Sequence, residues 1–158
     1  MKTKAAILRA RNTPWSVEEI ELDPPKAGEV LVKIIASGMC HSDEHLVTGD
    51  LAGATPEPPL IGGHEGAGVV LEVGAGVFSL VPGDHVVFGF VPACGRCPSC
   101  ASGHSNLCDM GAITATGLQL SDGTARHHDA SGADLALGIG ALGTFAHHTV
   151  VHEASCIK

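Results

Sequence analysis

Apolar residues in this chain fall in short runs, broken repeatedly by glycine and proline, and the runs read as strands. Residues 3–9 form the first. Residues 16–22 form the second, with Val17, Ile20 and Leu22 set among acids. Asp23-Pro24-Pro25-Lys26-Ala27-Gly28 reads as a turn, because paired prolines lack donors and glycine permits positive φ. Residues 29–36 are β-branched and nearly continuous, the strongest strand in the chain, and Ser37-Gly38 then turns sharply into Met39-Cys40. Ser42 reads as the N-cap of a short helix, with Asp43 and Glu44 in its first turn, where the helix dipole favours anions. That helix carries His45 and Leu46 and ends near Gly49; Pro56, Pro58 and Pro59 make the next stretch a loop. Gly63-His64-Glu65-Gly66-Ala67-Gly68 leads into a strand at 69–73, closed by Gly74 and Gly76. Pro82-Gly83-Asp84 is a turn and 85–90 a further strand. Residues 109–142, rich in Gly, Ala and Asp, predict a strand near 117–120, a turn at Ser121-Asp122-Gly123 and a long surface excursion through Ala141. Alternation at 143–151 predicts another strand, and 155–158 starts one more.

A length of 158 residues suits one domain with a real hydrophobic core. With 21 glycines, 3% aromatics and no tyrosine, tight turns and a mainly β fold are favoured over a helical bundle. The net charge of −8 argues against a nucleic-acid partner, which needs a basic face. The run Ala5-Ala6-Ile7-Leu8 stops at Arg9, too short for a signal-peptide core or a membrane span. The expected location is the cytoplasm, where thiols stay reduced.

Cys94, Cys97, Cys100 and Cys108 are spaced C-x2-C-x2-C-x7-C. Thiolates are soft ligands, and four of them enclose a tetrahedral zinc ion, so the spacing predicts a structural zinc lobe over about 91–112. Two disulfides are the bland alternative, disfavoured in a reducing compartment. An iron–sulfur cluster is the sharper one. Its ferredoxin pattern continues x3-C-P, whereas here the fourth cysteine is seven residues on and Asp109 comes after it.

Cys40 and His64 form a second pair of candidates. Each taken alone reads as a buried or hydrogen-bonded residue. Their settings differ from that: Cys40 opens the polar corner His41-Ser42-Asp43, and His64 is flanked by glycines. One thiolate and one imidazole are half of a catalytic zinc site, which keeps an open position.

These motifs together resemble the zinc-containing alcohol dehydrogenases of the medium-chain dehydrogenase/reductase superfamily. The run from Gly63-His64-Glu65 through Gly68 and Gly74 to Val77 matches that family's zinc signature, and the Cys40-His41-Ser42-Asp43 corner and the cysteine lobe keep its order. Gly28-Glu29-Val30, His41-Ser42-Asp43-Glu44-His45 and Gly143-Thr144-Phe145-Ala146-His147-His148 are similar to the nicotinoprotein (nitrosoaniline-dependent) branch. The resemblance covers essentially all of 1–158. It implies a GroES-like, partly open β-barrel with a short helix and a projecting zinc lobe. It further implies a catalytic zinc held by Cys40 and His64 with Glu65 beside it, and a proton relay from Ser42 to His45. Asp43 would orient His64, His41 would lie near the pyrophosphate of NAD(P), and Phe90 would line the substrate pocket. The implied reaction oxidises a primary alcohol to an aldehyde through a zinc-bound alkoxide and hydride transfer. The implied partner is a small alcohol or aldehyde, and the intact enzyme is expected to be a homo-oligomer.

Two parts of that enzyme are not found. Cys156 falls too early to be the family's third catalytic ligand and reads as a buried structural cysteine. Gly138-Ile139-Gly140-Ala141-Leu142-Gly143 spells G-x-G-x-x-G, but no strand is expected before it and no helix after it, so it reads as a loop. The expectation is a catalytic-domain fragment without the Rossmann cofactor domain, inactive alone. A thiol-dependent formaldehyde dehydrogenase fragment and a non-catalytic zinc module are the alternatives. The pairs His127-His128 and His147-His148 read as surface or strand residues, and His85, His104 and His152 as solvated or hydrogen-bonded.

Overall fold

The computed structural model describes residues 1–158. Strands form as expected at the alternating stretches, β1 (Lys2–Leu8) and β2 (Ser16–Leu22), and at the nearly continuous apolar run, β3 (Glu29–Ser37). A helix, α1 (His41–Thr48), comes next, then β4 (Leu60–Ile61), β5 (Gly66–Val73) and β6 (His85–Phe88). The later strands are short: β7 (His127–His128), β8 (Ala136–Leu137), β9 (His148–His152) and β10 (Cys156–Ile157). They make two five-stranded sheets, ordered β7-β2-β1-β4-β8 and β10-β6-β5-β3-β9, which close into a partly open barrel. The fold is mainly β, as the resemblance implies. No helix is long and apolar enough to cross a membrane.

The inward faces of the two sheets supply the core. Ala5, Ile7, Ile20, Ile61, Leu135 and Leu137 pack under the first sheet, and Val30, Val32, Val70, Val86 and Val151 under the second. Close backbone approach is built in at Gly74, where a methyl group would stand 1.7 Å from the Lys26 carbonyl oxygen. Only glycine fits there, so the β2–β3 and β5–β6 turns can lie against one another.

Several expectations are corrected. The helix cap is Cys40, two residues before Ser42, which lies inside the first turn. β5 begins three residues before the expected 69, and β6 stops at Phe88. Residues 117–120 form no strand; the chain there is bend and turn, with Gln119 reaching into the interior to donate from Nε2 to the Val150 carbonyl at 2.7 Å. Residues 109–142 are not a surface excursion either. Arg126, His127, Leu135 and Leu137 are all fully buried there. A short strand, β8, does precede the G-x-G-x-x-G stretch, but the stretch itself makes a 3-10 turn at Ile139–Ala141 instead of opening a dinucleotide-binding helix. Glycine is needed at Gly140 (φ +71°) because Phe90 backbone atoms lie within 2.9 Å of where its side chain would begin. Finally, β9 starts only at His148, because Thr144 and Phe145 donate their amides to the Gly63 and Gly62 carbonyls and not to a neighbouring strand.

Burial in 109–142 has a polar centre. The Arg126 guanidinium grips Glu29 through Nε (2.9 Å) and Nη2 (2.7 Å), with both side chains at 0% exposure. Its remaining donors reach Asp122, Thr124 and the Ala125 carbonyl, so all five are used. Glu29 also accepts from Ser121 and from the Lys26 amide.

Candidate metal centres

The cysteine lobe starts from backbone geometry. Gly95, at φ +73°, turns the chain so that the Cys97 amide points back at Cys94 Sγ (3.4 Å), and the Cys100 amide points at Cys97 Sγ in turn (3.4 Å). The Cys94 amide points at Cys108 Sγ (3.5 Å), which closes the loop. All four sulfurs lie within 4.8 Å of one another, and no disulfide joins any of them. Their acidities diverge. Backbone N–H groups of Arg96 and Cys97 draw the Cys94 thiol down to about 6, while burial and the adjoining sulfurs push Cys100 up to about 12. Four sulfurs this close repel one another as thiolates unless a cation sits between them, and the amides already aimed at them favour the charged form. The donor set fits zinc.

A second group assembles where β3 runs into α1. Cys40 Sγ, a His64 ring nitrogen and a Glu65 carboxylate oxygen lie within 4.8 Å of one another. They come from two corners of the chain, and Asp43 ties those corners together. Asp43 is buried; its Oδ1 accepts from the Gly63 amide (3.0 Å) and its Oδ2 from the Cys40 amide (3.3 Å). Oδ1 also stands 3.5 Å from His64 Nδ1. That nitrogen is buried and otherwise unpartnered. With Nδ1–H turned to Asp43, the Nε2 lone pair is the one left for a metal. The mixed sulfur, nitrogen and oxygen set therefore fits zinc with room for a further ligand. Glu65 lies over Gly38, where a methyl group would come within 2.3 Å of Oε2.

The remaining expected site residues surround this group. The Cys40 thiol donates to Ser42 Oγ at 3.5 Å. His45 Nδ1 is hydrogen-bonded to Asp50 Oδ2 at 3.0 Å, and the His41 and His45 rings meet edge to face at 4.7 Å. Thr48 shares the same Asp50 oxygen, and together these bonds hold Asp50 in its ionised form. The Phe90 ring stands edge-on to His64 at 6.2 Å and faces a recess of about 160 Å³ with Ala54, Thr114 and Ile139. On the other side of Cys40 a cleft of about 750 Å³ opens, lined by Trp15, Met39, His41 and Phe145. Cys156 belongs to neither metal group. It is half-buried, its thiol is pushed up to about 12 by burial, and it turns toward the His152 carbonyl (3.9 Å).

Sequence reasoning missed the residues that brace the His64 loop from a distance. Trp15 and Phe145, packed edge to face at 5.7 Å, cover Gly62, and Ser37 and Thr144 reach the Glu65 carbonyl. No local spacing marks them. Gly143-Thr144-Phe145 stands out only as part of the resemblance.

Comparison with known proteins places these centres in context. The profile of a family described as "Alcohol dehydrogenase GroES-like domain" matches residues 26–158. Over all 158 residues the chain is 51% identical to alcohol dehydrogenase B of Mycobacterium tuberculosis and 49% identical to an NDMA-dependent alcohol dehydrogenase of Amycolatopsis methanolica. It spans 41% of each of those proteins. Among solved structures, an alcohol dehydrogenase zinc-binding domain protein from Burkholderia ambifaria superposes with a TM-score of 0.89 at 37% identity, over 100% of this chain and 42% of that one. Benzyl alcohol dehydrogenase from Acinetobacter calcoaceticus gives 0.83 at 28% identity, over 100% of this chain and 41% of that one.

Proposed function

This chain belongs to the alcohol dehydrogenase GroES-like domain family, and from that premise we propose that it is the catalytic domain of a longer zinc-dependent, NAD(P)-linked enzyme that oxidises a primary alcohol to an aldehyde. The observation that carries the reading is the convergence of Cys40, His64 and Glu65 within 4.8 Å, with Asp43 behind the imidazole. Cys40, His64 and Glu65 would hold the catalytic zinc, and Cys94, Cys97, Cys100 and Cys108 the structural one. When bound, the catalytic ion supplies a Lewis acid that makes an alcohol proton acidic near neutral pH, and a nicotinamide supplies the hydride acceptor.

The chain's own residues do the rest. Asp43 fixes the His64 tautomer and ring plane, so the imidazole presents one nitrogen in one direction. Ser42 Oγ, at the edge of the ligand group, would accept the substrate's hydroxyl proton, and His45 would pass it towards solvent with Asp50 holding Nδ1. Phe90 would exclude water from the reacting carbon, and the exposed His41 would face the cofactor phosphates.

Elemental analysis of the longer enzyme tests the reading. Two zinc ions per chain are expected there, falling to one in Cys40→Ser and in His64→Ala, whereas residues 1–158 alone are expected to hold the lobe ion and bind the second poorly. One ion in every variant of the longer protein, wild type included, would leave only a zinc module. Without a cofactor-binding unit, the 158 residues are expected to show no NAD-dependent alcohol oxidation.

A further inference from the structure

We propose that Thr144, together with Ser37, is a positioning residue for the His64–Glu65 segment, acting through the Glu65 carbonyl and not through any ligand side chain. The inference rests on the reading of Cys40, His64 and Glu65 as metal ligands. Two stretches far apart in sequence, 37–38 and 144, converge on that one carbonyl oxygen. It accepts the Gly38 amide at 2.8 Å and the Ser37 hydroxyl at 3.0 Å, and Thr144 Oγ1 lies 3.3 Å away. Ser37 and Thr144 hydroxyls are also 2.8 Å apart. A carbonyl has two lone pairs, so the amide and one hydroxyl fill it, and the second hydroxyl donates to the first.

Thr144 is 1% exposed, and its backbone repeats the grip: the Thr144 amide donates to the Gly63 carbonyl at 3.1 Å, and the Phe145 amide to Gly62 at 3.0 Å. His64 is thus held on both sides, by Gly63 before it and Glu65 after it, from a single two-residue stretch. The glycines permit this approach. A methyl group on Gly63 would stand 2.5 Å from Thr144 Oγ1, and one on Gly66 would stand 2.7 Å from Thr144 Cγ2. The hydroxyl and the methyl therefore have separate tasks. Cγ2 fills space over Gly66, while Oγ1 fixes the carbonyl that sets where the His64 and Glu65 side chains leave the backbone.

Thr144→Val keeps the methyl packing and replaces the hydroxyl with a second methyl group. With the cysteine lobe loaded with zinc, the chain is titrated with cobalt(II), whose thiolate charge-transfer and ligand-field bands report the Cys40–His64 site. Wild type is expected to take up one cobalt ion. Thr144→Val is expected to bind it about tenfold more weakly and with shifted ligand-field bands, in the range seen when supporting hydrogen bonds around metal ligands are removed. Thr144→Ser is expected to restore affinity and spectrum, and lobe zinc should stay at one ion throughout. Wild-type affinity and bands in Thr144→Val would overturn the inference, as would failure of Thr144→Ser to rescue. If Thr144→Val does not retain lobe zinc, Ser37→Ala is judged by the same criteria, a loss of affinity supporting the inference and wild-type behaviour overturning it. A wild-type chain that takes up no cobalt overturns the ligand reading itself, and this inference with it.

Discussion

Asp43→Ala removes the one side chain that joins both corners of the second metal group. Three interactions go together: the Gly63 amide loses its acceptor at 3.0 Å, the Cys40 amide loses a capping partner at 3.3 Å, and His64 Nδ1 loses the carboxylate 3.5 Å away. A buried amide left unsatisfied costs about 1–3 kcal/mol. Loss of the capping interaction at the start of α1 costs about 1 kcal/mol more. The metal-free chain is therefore expected to lose about 2–4 kcal/mol in urea unfolding. Zinc adds a second difference. An imidazole without its orienting partner binds metal about 10–100-fold more weakly, so the zinc-loaded variant should fall behind wild type by a further 1.4–2.7 kcal/mol, roughly, through linkage. Paired urea titrations, with and without zinc, separate the two effects. Unfolding midpoints equal to wild type in both series would refute the view that Asp43 holds the site together. An equal deficit in both would restrict Asp43 to folding and remove it from the metal centre.

Arg126→Met is expected to destabilise the chain by about 3–5 kcal/mol, because Glu29 is left charged and fully buried with only Ser121 and the Lys26 amide as partners. Chemical denaturation should show Glu29→Gln recovering part of that loss in the double variant. His127 sets a pH dependence. Burial, with the nearby charges of His128 and Arg126, lowers it to about 3 in the folded chain, against an ordinary 6.5. Between those values the unfolded chain binds one more proton, so this contribution is intact above pH 6.5 and is lost as pH falls towards 3. His127→Phe should flatten the stability profile relative to wild type by up to about 1.4 kcal/mol per pH unit, read as the difference between the two proteins. Parallel profiles would count against it. Gly38→Ala should displace the Glu65 carboxylate, whose Oε2 lies 2.3 Å from the added methyl. Stability should fall by about 1 kcal/mol, since the carboxylate end can swing away while Glu65 Cβ, 3.1 Å from the added methyl, has only to shift slightly. Cobalt affinity at the Cys40–His64 site should drop several-fold, and an unchanged affinity would take Glu65 out of the ligand set.

Legibility in the sequence tracked distance along the chain. β1 and β2 were readable because alternating burial is a local signal, β3 because its apolar run is nearly continuous, and Gly49 marks the end of α1 by its left-handed backbone. The cysteine lobe was readable because its four sulfurs lie within fifteen consecutive residues and short C-x2-C steps can wrap one ion. Two-residue strands such as β7 and β8 carry no periodicity at all, and the apparent strand at 143–151 is half a brace for another loop. The small residues of 109–142 look like surface composition, yet some are small because other chain segments press against them: a methyl group on Gly117 would stand 2.6 Å from the Leu137 carbonyl oxygen.

Composition, strand periodicity and thiol spacing thus determined a β-rich domain with a lobe of four clustered cysteines, since each is written in residues near one another. Tertiary structure alone decided what supports them. The Glu29–Arg126 pair bridges 97 positions, Thr144 reaches Glu65 across 79, and Asp43 reaches Gly63 across 20. Hydrogen bonds and ion pairs act over about 3 Å of space and are indifferent to separation in sequence, so a partner brought close only by chain closure leaves no local pattern to read.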